Sequence, residues 1–472
     1  MNLANLTAVE AIAAMRNGDI QAEDYAAALV KRANAFADLN AFISYDSDTV
    51  IEAGRAADTQ RNKGTQLGKL HGLPLTLKDN IDTAQFFTTG GTPGLRHHQP
   101  KTDAPVFARL REAGAYCFGK ANLNELAFGL TGNNEAYGRT KNPYNPDCIP
   151  GGSSGGTGAA VAARMTPVGM GSDTAGSVRI PAALCGVVGF RPSTGRYDQT
   201  GVIPISHTRD TIGLVTRSVE DVALLDGVIT GDELNPSPIQ LQGLRIGVPR
   251  NYFFDNLDPE VEGVTAKALY RLAEYGIVLV EVDIPDFGAT NAAASTPIAF
   301  YESPRDLNKY LVEHGLDLEF ADIARTAGNP DVKSVLESLV GEEAVPKTVY
   351  QEALTKFRPR LQTIFSNYFQ AHEVRAIVFP ATPIPAPLMS EDLDLSLKTK
   401  GISPFWTIIR NFDPGSTAGL PGLTIPIGLT ERGLPVGLAF DGPEGADRDI
   451  LSIGHALQIL EPPMPEPVLQ LL

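Results

Sequence analysis

Between residues 73 and 118 the chain writes a strand, a helix and a second strand, and nothing else in it constrains the fold as strongly. Leu73, Leu75 and Leu77 alternate with Pro74, Thr76 and Lys78. That period of two puts the leucines on one face of a strand and Lys78 on the other. Val106 to Ala113 reads as a helix, and Ala115 to Phe118 as the next strand. A helix joining two strands in this way is a crossover between parallel strands, so an α/β fold around a parallel or mixed sheet is expected. Residues 244–284 repeat the same order.

The flanking segments fit that class. Residues 7–37 read as two helices, the first opened by a Thr7–Glu10 capping box and closed at Gly18-Asp19. The second carries Tyr25, Leu29, Val30, Ala33 and Phe36 at helical spacing. A strand at 39–43 and a helix at 48–61 follow. Past a turn-rich stretch, Gly151 to Gly158 runs into a helix from Ala159 to Arg164 and a strand from Val168 to Met170. Residues 290–372 read as mainly helical, 376–379 as a strand, the Gly/Pro-rich run 413–443 as sheet-like, and 447–459 as a helix. No internal repeat, heptad run or low-complexity linker divides the chain, so residues 1–472 are expected to form one domain. Its parts are a helical N-terminal region (1–65), a core (66–230) and a more variable, mainly helical region (290–410).

Charge and cysteine usage narrow the partners. The net charge of −16 repels a nucleic-acid backbone. Cys117, Cys148 and Cys185 form no CxxC and no paired framework, so they read as buried thiols of a reducing compartment. Neither a signal-peptide pattern nor an apolar run long enough to span a membrane is visible, and a cytoplasmic location is expected.

Two small-residue segments carry the chemistry. The first, Gly151-Gly152-Ser153-Ser154-Gly155-Gly156-Thr157-Gly158, is followed by Ala159, so it lacks the lysine and hydroxyl residue of a phosphate loop. It also matches GxSxG, but a nucleophile elbow sits at a strand end, and Pro143, Pro146 and Pro150 argue against a strand there. The second segment runs from Asp173 to Arg179. Small residues at 174–176 let backbone N–H groups converge on one point, beside which Ser177 would present its hydroxyl. A serine needs a base to become a nucleophile. His207 lies in a polar turn, and His372 and His455 stand in uninformative contexts. A lysine can serve if burial keeps it neutral, and Lys78 ends an otherwise apolar strand.

Together these pieces resemble the amidase signature family. The likeness runs from His71-Gly72-Leu73-Pro74 through Lys78-Asp79-Asn80 and the segment Lys120 to Ala127. It is strongest across Gly151 to Gly195 and extends, more weakly, through Asp413-Pro414-Gly415-Ser416 and Gly419-Leu420-Pro421-Gly422. The resemblance implies a large mixed central β-sheet covered by helices on both faces, with residues 66–230 as the signature core. It implies a Ser–cis-Ser–Lys triad of Ser177 as nucleophile, Ser153 as bridge after a cis peptide bond, and Lys78 as base. Backbone N–H groups of Thr174, Ala175, Gly176 and Ser177 would form the oxyanion hole, with Ser154, Asp173 and Arg179 in support. Phe128, Gly129, Thr131 and Gly132 match positions near the reacting centre, and the 290–410 region should line the acyl pocket. Neither a metal nor an organic cofactor is implied.

One departure is Ala175, where the commoner family pattern has glycine; the added methyl bears on substrate size. The segments Ser177 to Leu184, Thr194-Gly195-Arg196-Tyr197 and Ile205 to Asp210 look most like the indoleacetamide and mandelamide hydrolases. That branch implies small aryl or aryl-alkyl amides, with esters, anilides and carbamates (urethanes) as related substrates, and a monomer or homodimer. The alternative is the glutamine-hydrolysing subunit of a tRNA-dependent amidotransferase.

Overall fold

The computed structural model describes residues 2–232, 236, 239–342, 344–389 and 404–468. The strands, in chain order, are β1 (Phe42–Tyr45), β2 (Pro74–Lys78), β3 (Tyr116–Ala121), β4 (Val168–Asp173), β5 (Val188–Arg191) and β6 (Thr211–Thr216). They continue with β7 (Arg245–Gly247), β8 (Val278–Val280), β9 (Ala376–Pro380), β10 (Gly422–Leu429) and β11 (Pro435–Asp441). All join one sheet in the order β1-β3-β2-β4-β6-β5-β10-β11-β9-β7-β8. β2 pairs in parallel with both β3 and β4, and β7 with both β8 and β9. The remaining pairings, such as β4 with β6 and β10 with β11, are antiparallel, so the sheet is mixed.

Strand alternation sorts the side chains onto two covered faces. Met170, Leu214, Val378, Leu438 and Phe440 enter one large cluster with Val106, Phe107 and Leu110 of the helix Pro105–Glu112. Their chain neighbours Val215, Ile377, Phe379 and Ala439 enter clusters on the opposite face. There they meet Val161 of one helix, Val178, and Phe365 and Phe369 of another. Strands buried on both faces read as continuous apolar runs rather than clean alternations.

The crossover β2, helix Pro105–Glu112, β3 forms as the sequence requires, with Leu77 in register with Lys120. The Thr7–Glu10 capping box is present, and Gly18 closes that helix at φ 79°. Other boundaries differ. The first strand lies at Phe42–Tyr45, because residues 37–39 take a 3-10 turn. The helix after the Gly/Ser segment starts at Gly155 instead of Ala159. Asp413–Ala418, expected to be sheet-like, is a helix with Pro414 in its first turn and Gly419 at φ 85° ending it. Proline at the start and glycine just past the end are helix punctuation. β5 and β6 were not expected at all.

The three cysteines are free and buried, and burial pushes the Cys117 thiol up to about 12. Among the described residues no helix is long and apolar enough to cross a membrane. Part of the 290–410 region, residues 343 and 390–403, lies outside the described residues.

Candidate active site

β2 and β4 are adjacent and parallel, so their C-terminal ends emerge on the same edge of the sheet, where ligands of open α/β sheets bind. Lys78 closes β2, and Asp173 closes β4 and begins the loop to Ser177. The Gly/Ser segment returns to the same edge. Ser154 N–H donates to the Ser177 carbonyl at 3.1 Å, and the Ser154 hydroxyl donates to the Ser172 carbonyl at 3.3 Å.

Lys78 is fully buried, and its Nζ lies 2.7 Å from Ser153 Oγ and 2.8 Å from Ser172 Oγ. Its partners are therefore hydroxyls. Burial pulls the amine down to about 7, against the more distant negative charges of Asp173 and Asp210. The peptide bond between Gly152 and Ser153 is cis. Gly152 must be glycine: a Cβ there would lie 2.2 Å from Asn124 Oδ1 and 3.0 Å from the Leu130 backbone.

The loop bearing Ser177 is held by a buried ionic network. Arg179 donates to both Asp173 oxygens, from Nε at 3.1 Å and Nη2 at 3.2 Å, and Arg191 adds a contact of 3.0 Å. Burial would raise Asp173, but the Arg179 and Arg191 charges hold it well below the usual carboxylate range. The same carboxylate accepts the Gly176 N–H at 2.7 Å and the Val178 N–H at 3.2 Å. Gly176, one of the expected oxyanion donors, thus directs its N–H to Asp173. The amides of Thr174, Ala175 and Ser177 do not donate to that carboxylate. Gly176 itself has φ 115°, and a Cβ there would meet Phe412 Cβ at 2.8 Å. Ala175 packs partly buried on the apolar cluster that includes Ile180, Phe379 and Phe412.

The loop 128–132 is tied to this centre through Asn124. Asn124 N–H donates to the Ser153 carbonyl at 3.2 Å. Its side chain accepts from Gly132 N–H at 3.1 Å and donates to Thr131 Oγ1 at 3.4 Å. Gly129 lies against the same asparagine, whereas Phe128 packs partly buried on a separate cluster with Leu126 and Ile203.

Several residues of the centre carry no label in the sequence reading. Ser172 and Asn80 flank Lys78, with Asn80 Nδ2 3.0 Å from Ser172 Oγ. Asp210 accepts Thr174 Oγ1–H at 2.6 Å and the backbone N–H groups of Ile205 and Ser206. Asp441 lies 3.3 Å from Arg179 Nη1, and burial lifts its carboxyl to about 6 despite that charge. Arg191 lies within the Gly151–Gly195 stretch, but only the folded chain brings it to Asp173 and brings Asp441 to Arg179.

Among the described residues, two carboxylate–histidine groups come close enough to hold a metal: Asp82, His98 and His314, and His207, Glu302 and Asp306. Both are closed by their own hydrogen bonds. His314 Nδ1 faces the Tyr310 carbonyl and Nε2 faces Asp82 Oδ2, each at 2.8 Å. Both ring nitrogens thus meet acceptors, which a protonated imidazole satisfies. Tyr310 donates to Asp82 Oδ1 at 2.7 Å and faces His98 Nε2 at 2.9 Å. His207 Nδ1 is engaged by Asp306 at 2.9 Å.

Comparison with known proteins agrees with the architecture. The amidase family profile matches residues 24–451. An indoleacetamide hydrolase of Agrobacterium vitis is 42% identical, covering 94% of this chain and 94% of its own. A mandelamide hydrolase of Pseudomonas putida is 36% identical, covering 97% and 92%. A crystal structure of an amidase superposes with a TM-score of 0.86 at 30% identity, covering 97% of this chain and 100% of that one.

Proposed function

The chain belongs to the amidase family, and from that premise we propose that it hydrolyses small aryl or aryl-alkyl amides through a Ser177–Ser153–Lys78 triad. The observation that carries this reading is the environment of Lys78. It is a fully buried amine drawn down to about 7, with the Ser153 hydroxyl 2.7 Å away. Such an amine is a usable general base at neutral pH.

Neutral Lys78 takes the proton of Ser153 as Ser153 takes that of Ser177. Ser177 Oγ bonds to the amide carbon, and the carbonyl electrons move to oxygen. The amides of Thr174, Ala175 and Ser177 meet that oxyanion. When the tetrahedral adduct collapses, the C–N bond breaks and the relay returns its proton to the leaving nitrogen. An acyl-Ser177 ester remains. Water enters, gives its proton to the same relay and releases the acid. The buried Asp173–Arg179–Arg191 network keeps the loop in place while charge builds on it. The side chains of the reaction suffice, and the same steps serve esters, anilides and carbamates.

The aryl preference rests on the likeness to indoleacetamide and mandelamide hydrolases and on Ala175, which packs partly buried on an apolar cluster two residues before Ser177. The test is a mass-spectrometric panel of arylacetamides, anilides, aryl carbamates, esters and glutamine with purified protein. Arylacetamide turnover with an acyl adduct on the Ser177 peptide is expected. Turnover of glutamine alone would replace this reading by the amidotransferase-subunit one, and undiminished hydrolysis by Ser177→Ala would end the triad assignment.

A further inference from the structure

Lys78 has a second hydroxyl at bonding distance, and the triad leaves it without a task. Ser172 lies on β4 one residue before Asp173, is buried, and holds its Oγ 2.8 Å from Lys78 Nζ. Asn80 Nδ2 lies 3.0 Å from the same oxygen and 3.3 Å from the Ile203 carbonyl. A carbonyl only accepts, so Ile203 sets which way the Asn80 amide faces, and Asn80 must donate to Ser172. A hydroxyl has two acceptor lone pairs. Asn80 occupies one, and the other is open to a Lys78 N–H.

This contact fixes where the Lys78 lone pair points. A neutral primary amine has two N–H bonds and one lone pair. With an N–H directed to Ser172, the lone pair is free to face the Ser153 hydroxyl, 2.7 Å away. Without Ser172 the amine is free to rotate about its last carbon–nitrogen bond, and the lone pair loses its aim.

We propose that Ser172, oriented by Asn80, is a positioning residue that turns the lone pair of Lys78 onto the proton of Ser153. The proposal rests on the triad reading above. Ser172 touches no substrate atom and acts through Lys78 alone. It also has an electrostatic consequence of definite sign. Protonated Lys78 can donate to Ser172, so the hydroxyl favours the ammonium form, while burial opposes it. Asp173 and Asp210, the charged groups that act on Lys78, are unchanged by substitution at Ser172.

The experiment is a pH–rate profile of kcat and kcat/KM for phenylacetamide hydrolysis by the wild type, Ser172→Ala, and the isosteric pair Ser172→Thr and Ser172→Val, with melting curves for each. Ser172→Ala should lose about 10- to 100-fold in kcat, the size of a misaimed catalytic group, with KM little changed. Its acid limb should move to lower pH, a direction that loss of packing does not produce. Ser172→Thr should recover most of the rate, and Ser172→Val, of the same shape, should not. Wild-type kcat in Ser172→Ala, equal rates in folded Thr and Val variants, or an acid limb unmoved or shifted upward would each overturn the proposal. Normal Ser172→Ala beside inactive Ser177→Ala and Lys78→Ala would defeat this inference alone. Retained activity in those last two would defeat the triad with it.

Discussion

Lys78 and Lys120 sit on neighbouring parallel strands, and both are fully buried. Alternation sends their side chains to opposite faces of the sheet, since the register partner of Lys120 is Leu77. Lys120 finds a carboxylate: Asp79 Oδ1 lies 3.2 Å from its Nζ, and the Ile81 carbonyl and Thr88 hydroxyl accept from it at 2.7 and 2.8 Å. Lys78 finds hydroxyls, and burial brings it down to about 7. Equal burial therefore yields different chemistry, and the partner decides. Lys120 has a carboxylate at ion-pair distance; Lys78 has hydroxyls there, and only the more distant Asp173 and Asp210 oppose its burial.

The comparison breaks if Lys78 turns out not to act as a base. Lys78→Ala should lower kcat/KM by at least about 1,000-fold, the scale of removing one member of a catalytic unit. Lys78→Arg should be as inactive, because a guanidinium keeps its proton. Activity within tenfold of wild type in the arginine variant would reject lysine base catalysis. In the wild type, protonation removes the base, so kcat/KM should fall with decreasing pH below about 7.

The Lys120 half of the comparison is read in stability. Lys120→Met strands Asp79 in the core and should cost about 3–5 kcal/mol, measured by urea unfolding. Burial already raises the Asp79 carboxyl despite the Lys120 charge and the Thr89 donors. A proton can therefore stand in for the lost cation in acid, and the deficit should be smaller at pH 5 than at pH 9. A deficit below about 1 kcal/mol at pH 9 would mean that the pair is not structural.

A smaller effect comes from making one pocket resemble the other. Ser172→Asp gives Lys78 a carboxylate beside its amine. Its acid limb should rise by a unit or more, which at pH 7 is a rate loss of about fivefold or more from protonation alone. A limb that stays near 7 would show that partner type is not what separates the two lysines.

The sequence showed more of this site than of the sheet that carries it. The Leu-Pro-Leu-Thr-Leu-Lys alternation and the capping box of the first helix are local signals, and they survive in the structure. Val188–Arg191 and Thr211–Thr216 lie at the centre of the sheet, buried on both faces, where a short apolar run carries no period to read. The Asp-Pro-Gly-Ser-Thr-Ala helix was hidden by residues that also mark turns. Lys78 and the two serine segments were legible because their chemistry is written in residue type. Ser172, Asn80 and Asp210 were in plain view within the same motifs, but their partners are fixed by strand register and by the path of the 201–210 loop, neither of which one sequence specifies.

The rule that the partner decides also applies to a residue that titrates near neutrality. His314 faces Asp82 at 2.8 Å with its side chain 21% exposed, and its hydrogen bond to that carboxylate raises the imidazole above its usual value even though burial opposes this. The native state therefore holds this proton more tightly than the unfolded chain, in which histidine titrates near 6.5. The added stability is complete below that value and is lost as pH rises through the higher native one. Replacement by His314→Gln should cost up to about 1 kcal/mol at pH 5.5, because the pair is partly solvated, and close to nothing from the charge at pH 9. Urea midpoints of the two proteins should accordingly converge with rising pH. A gap of the same size at both pH values would show that His314 holds its place by packing on Tyr310, and would confine the partner rule to the two buried lysines.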